Sequence, residues 1–129
     1  MRILLADDNA EIRGALRLLL EELGERNILE AADGRQLLSV LGQGPVDVIL
    51  LDWELPEGSS RSHHGATAQA YSAALVEGIR RTCGDARVIA MSVGPEAEES
   101  SRLAGCDGFV NRNEPPDRLL ALLHLGRCY

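Results

Sequence analysis

Three aspartates stand where apolar runs of the sequence end. Asp7 and Asp8 close the run at residues 3–6, and Asp52 closes the run at 46–51. Ser92 follows the run at 87–91, and Arg112 comes just after the apolar pair Phe109 and Val110. Carboxylates held about 4 Å apart repel by about 4 kcal/mol per pair at an effective dielectric of 20, so a fold that gathers them needs a compensating charge. Mg2+ suits an all-oxygen set, because it keeps several waters and is commonly shared between protein carboxylates and a phosphoryl group. Ser92 would bring a hydroxyl to a phosphoryl oxygen, and Arg112 a planar fork of donors. Taken singly, each acid has a plainer reading as a strand end or as a cap and dipole partner for the helix that follows. Their joint placement points to Mg2+-dependent phosphoryl chemistry.

These groups meet only if the apolar runs are neighbouring strands of one sheet. Runs of four to six apolar residues alternate with segments whose apolar residues recur at three and four, the pattern of βαβ units around a parallel sheet. Strands are expected at 3–6, 28–32, 46–51, 87–91 and 109–110, and helices at 10–23, 36–41, 67–82, 95–104 and 116–125. The first helix carries Ile12, Ala15, Leu16, Leu19 and Leu23 on one face, with Asn9 as its N-cap and Gly24 as its stop. The third is expected to turn Tyr71, Ala74, Leu75, Gly78 and Ile79 inward. The fold class is therefore α/β: a doubly wound, five-stranded parallel sheet with five helices. In such a sheet ligands bind beyond the carboxyl ends of the strands, where all five candidate groups lie. Trp53 is expected as a partly exposed neighbour of that crevice. Residues 56–65 hold Pro, two Gly, three Ser and two His, a loop longer than the ~2–6 residues usual in a βα connection.

A length of 129 residues, 45% hydrophobic and 26% charged, fits a single domain over 1–129. The net charge of −7 argues against this chain gripping nucleic acid directly and favours protein partners. All 13 basic residues are Arg, so no Lys ammonium is available to the site. Cys83, Cys106 and Cys128 lack metal-ligand spacing and read as reduced, mostly buried thiols. His63 and His64, in a Ser/Gly-rich stretch, read as a solvated pair rather than metal or phosphorelay ligands. No apolar run approaches the ~20 residues of a membrane span, and the first residues lack a signal peptide's long apolar region, so a cytoplasmic chain with no membrane contact is expected.

The segments ILLADDN, VDVILLDWELP, VIAMS and GCDGFVNR, in that order, resemble the response-regulator receiver family, chemotaxis regulators included, over nearly the whole chain. That resemblance implies a flavodoxin-like receiver fold with Asp52 as phosphoacceptor. It also implies a Mg2+ site made by Asp7, Asp8, Asp52 and the backbone carbonyl of Glu54. Ser92 and Arg112 would contact the phosphoryl group, with Ser92 and Phe109 as the switch pair. The implied partners are a histidine kinase or phosphotransfer protein and an output protein or domain, with homodimerisation expected through the face at 95–125. Such a domain assists its own phosphorylation without being an enzyme in the usual sense.

The chain departs from the family pattern in three places. Arg112 stands where the family has Lys, and the two are not interchangeable at tight sites. Asn113 follows where Pro is common, which puts the usual cis peptide in doubt. The stretch after Asp52 is also about a dozen residues longer than usual, placing residues 59–65 beside the site. Not being a ligand, Arg112 is expected to leave Mg2+ affinity almost unchanged when replaced. Two other readings stay open: a pseudo-receiver that only binds proteins, and a Mg2+-dependent phosphatase using an aspartyl phosphate. The latter would want a second acid two residues on, a place Glu54 holds, and a cap domain for which the chain is too short.

Overall fold

The computed structural model describes residues 1–58 and 66–125, with side chains described for 1–58 and 70–123. The loop residues 59–65, His63 and His64 among them, and Cys128 lie outside these. Ten elements follow in strict alternation: β1 (Arg2–Ala6), α1 (Ala10–Glu22), β2 (Asn27–Ala31), α2 (Gly34–Leu41), β3 (Val48–Asp52), α3 (Ala66–Thr82), β4 (Arg87–Ser92), α4 (Pro95–Leu103), β5 (Gly108–Asn111) and α5 (Asp117–Leu125). The strands form one parallel sheet in the order β2-β1-β3-β4-β5. This is the flavodoxin-like arrangement, whose switch point lies between β1 and β3.

Strand side chains alternate between two cores, as the two-residue period requires. Leu4, Ala6, Ile49, Leu51, Val88, Ala90 and Phe109 face α2, α3 and α4. Ile3, Leu5, Val48, Leu50, Ile89, Met91 and Val110 face α1 and α5. A strand covered on both faces must be apolar throughout, which is why these runs do not alternate in sequence.

The helices start and stop for local reasons. The Asn9 side chain accepts from the N–H groups of Glu11 and Ile12 at 2.9 and 3.2 Å, as its place ahead of α1 predicts. Asp33 caps α2 in the same way through Gln36 N–H at 2.8 Å, so that helix begins two residues before the periodicity suggests. Gly24 and Gly105, at φ of +90° and +96°, take the left-handed turn that ends α1 and α4. In α3 the buried face runs through Ser72, Leu75, Val76 and Ile79, while Ala74 is exposed. The expected inward stripe was thus displaced by part of a turn, because Ala and Gly carry too little apolar signal to orient it. Among the described residues, no helix is long and apolar enough to cross a membrane.

Candidate functional site

The ladder carries the site's geometry. Ala6 of β1 pairs with Leu51 of β3, so the next residue of each strand, Asp7 and Asp52, emerges side by side at the switch point. Asp7 is fully buried, Asp52 is 5% exposed, and Asp8 is exposed at the rim. One carboxylate oxygen from each of the three lies within 4.8 Å of the others. Asn9 N–H donates to Asp7 Oδ1 at 2.8 Å, and Glu54 N–H to Asp52 Oδ1 at 3.0 Å. These two turns aim the acids into the crevice. Glu54 itself is exposed, in the turn two residues beyond the end of β3.

Burial pushes the Asp52 carboxyl up to about 7, against the pull of the Arg112 guanidinium and the Glu54 N–H; Asp7 and Asp8 add to the rise. Asp7 is raised as well, again chiefly by burial, with the Asn9 N–H and Arg112 opposing it. Two buried carboxyls that resist ionisation beside a third form an all-oxygen donor set short of positive charge. A hard divalent cation fits that set, and Asp7, Asp8 and Asp52 are the side chains able to hold it.

Arg112 reaches this set from the segment after β5. Its backbone N–H donates to Ser92 O at 3.0 Å, tying it to the end of β4. Its guanidinium bonds Asp7 Oδ2, and the same nitrogen is 3.7 Å from Asp52 Oδ1. Arg112 Nε is buried with no hydrogen-bond partner. The Arg112–Asn113 bond is trans, and no cis peptide occurs among the described residues. Ser92 is buried one step beyond Met91, the partner of Asp52, and its Oγ accepts from Gly94 N–H at 3.3 Å. Phe109 is 9% exposed and packed in the core under α4.

Trp53 is not a half-exposed neighbour of the crevice. It is fully buried, with Nε1 donating to Ser100 Oγ at 3.2 Å and its carbonyl accepting from Ser72 Oγ at 2.6 Å. The alternation that sends Ile49 and Leu51 toward α2, α3 and α4 continues for two more residues past the acid, and that continuation was the missed signal. Arg13 was also overlooked: its guanidinium donates to the Asp7 carbonyl at 2.6 Å and pairs with Glu30 at 2.9 Å. Its position one turn after the Asn9 cap is the only hint the sequence offers.

The sequence matches the response regulator receiver domain family over residues 3–124. The chain belongs to that family. Within its receiver sequence a 56-residue stretch is 39% identical to the chemotaxis protein CheY-3 of Vibrio cholerae, covering 43% of each chain. The nitrate/nitrite response regulator protein NarP of Escherichia coli is 26% identical over 128 residues, which is 97% of this chain and 54% of NarP. The matched stretches thus span about half or less of these relatives' length. The solved structure of the response regulator protein TrrA from Thermotoga maritima, in complex with Mg(2+)-BeF, agrees with a TM-score of 0.75 at 27% identity over 97% of both chains. Receiver domains bind Mg2+ through an acidic pocket, and this receiver has its acids in one.

Proposed function

We propose that this receiver accepts a phosphoryl group on Asp52 and thereby switches its affinity for a partner. The observation that supports this most is the buried Asp52 carboxyl at the switch point, within 4.8 Å of the Asp7 and Asp8 oxygens. In the reaction a carboxylate oxygen of Asp52 attacks phosphorus, the donor's P–N or P–O bond breaks, and a mixed anhydride forms. The leaving imidazole of a phosphohistidine takes up a proton; the leaving acetate of acetyl phosphate needs none. Even without a metal ion, burial leaves the Asp52 carboxyl at about 7, so a large fraction is carboxylate at neutral pH. Mg2+, held by Asp7, Asp8, Asp52 and the backbone carbonyl of Glu54, would supply positive charge to the phosphoryl oxygens.

Ser92 and Arg112 would contact the transferred group, and both are tied to the end of β4. Ser92 turning toward a new anion leaves room beside Phe109, which is how a local charge is read by the face at 95–125. The partners on this reading are a histidine kinase or phosphotransfer protein, an output protein or domain, and a second copy through that face, all in the cytoplasm. Neither nucleic acid nor membrane is contacted directly. The family match favours a phosphoacceptor over the phosphatase reading.

A pseudo-receiver remains a second reading, favoured by one observation: a guanidinium bonded to Asp7 within the acid set. Incubation with acetyl phosphate and Mg2+, followed by mass spectrometry, separates the two. A single phosphoryl gain on Asp52, absent in Asp52→Asn, is the expected result. Unmodified, folded protein would assign the chain to the pseudo-receivers.

A further inference from the structure

We propose that Arg112 is a built-in counter-cation: its guanidinium occupies the acid pocket until a divalent ion displaces it, so that metal binding and the release of Arg112 are one event. This rests on the metal-site reading above and concerns how that site is regulated.

The first ground is geometric. Arg112 bonds Asp7 Oδ2 and stands 3.7 Å from Asp52 Oδ1, so it already spans the two buried members of the set. Mg2+ held by these carboxylates would demand near-octahedral oxygen surroundings at ~2.1 Å, which a guanidinium nitrogen bonded to the same carboxylates would crowd. The two cations would also repel at close range in a poorly solvated crevice, where the Asp7 side chain is 1% and the Asp52 side chain 6% exposed.

The second ground is that the fit is incomplete. A settled buried Arg bridge satisfies its donors, yet Arg112 Nε is buried without a partner. The head is held by charge and not by a full set of hydrogen bonds, which makes its exchange for a better cation less costly.

The third ground is a destination. Arg112 lines a groove of about 320 Å3 between α1 and α5, whose walls include Ile12, Leu16, Met91 and Leu119 and whose lining includes Glu114. An Arg stem lies readily along apolar surface while its head seeks an anion. A displaced Arg112 can thus rest its stem in the groove and meet Glu114 until a phosphoryl group enters the pocket and draws its head back. A Lys stem is shorter and carries no Nε to leave unpaired, so the incomplete fit follows from the residue this chain carries.

The sequence alone suggests that replacing Arg112 leaves Mg2+ affinity nearly unchanged; the geometry points the other way. The test is calorimetric titration with Mg2+ alone, in wild type, Arg112→Gln and Arg13→Gln, each checked for folding by circular dichroism. Arg112→Ala serves if the Gln variant does not fold. Arg13→Gln removes the same charge close to Asp7 without vacating the pocket. The expected result is Mg2+ binding about 10-fold tighter in the Arg112 variant and within about 2-fold of wild type in the Arg13 variant. Equal affinity in wild type and the Arg112 variant overturns the counter-cation and leaves the metal site standing. Equal tightening in both variants overturns it as well, because bulk charge would then account for the effect. No heat of binding in any of the three proteins sinks the metal-site reading itself.

Discussion

Burial at the carboxyl end of β3 raises the Asp52 carboxyl to about 7, and the direction of that displacement sets how stability follows pH. A group whose pKa is higher in the folded state than in the unfolded one holds its proton more tightly when folded. Its favourable contribution is therefore complete below the unfolded value near 3.8 and is lost as pH rises to about 7. In metal-free buffer the protein should lose roughly 2–4 kcal/mol between pH 4 and pH 8 from this residue. Asp52→Asn should be more stable than wild type at pH 8 and flatter across that window, with a remaining slope of the same sign from Asp7. Urea unfolding at the two pH values checks this; a wild type as stable at pH 8 as at pH 4 would show that Asp52 ionises at no cost. The acids themselves were legible in the sequence, because each interrupts an apolar run and so announces a strand end. The path of the Arg112 head was not, since nothing in a run of residue types says which carboxylates a long, flexible side chain will meet. Arg13 was equally hidden, as an Arg on a helix surface is ordinary.

Between elements, α2 and α3 approach so closely that a Cβ on Gly34 would lie 1.8 Å from Tyr71 Oη and 2.8 Å from its Cζ. The same glycine donates its N–H to Pro56 O at 2.8 Å, and Arg35 donates to Glu57 O at 3.1 Å, so the start of α2 anchors the chain just after the site. Gly34→Ala should cost about 1–3 kcal/mol, the usual penalty for overpacking, and Tyr71→Phe in that background should recover part of it by removing the nearest atom. Thermal unfolding of the two variants measures both steps; an Ala variant as stable as wild type would mean that α3 yields freely. Periodicity located all five helices, yet it misplaced the inward face of α3. That face is set by Ser72 and Val76, and a serine that is buried because its hydroxyl holds the Trp53 carbonyl looks in sequence like a surface residue.

At the scale of the molecule, the alternation of strands and helices showed a parallel sheet, and the resemblance implied a flavodoxin-like one, but the order β2-β1-β3-β4-β5 came with the structure, since periodicity carries no information on which strands neighbour one another. That order brings together residues 45 positions apart in the chain by a single step across a ladder. The crevice is built from strand ends, each pinned to the next: Asp7 N–H to Ala31 O at 3.0 Å, Trp53 N–H to Met91 O at 2.9 Å, and Arg112 N–H to Ser92 O at 3.0 Å. Such amides should surrender their hydrogens to deuterated solvent only when the central sheet opens, whereas Glu11 and Ile12, bonded at an exposed helix cap, should exchange far sooner. Exchange followed by NMR is expected to place Asp7 and Trp53 in the slowest class, and rapid exchange at either would reveal an opening confined to the crevice. A slow crevice has a practical meaning: the acids cannot fray apart while the rest of the domain stays folded, so whatever binds them guards every strand of the sheet against unfolding at once.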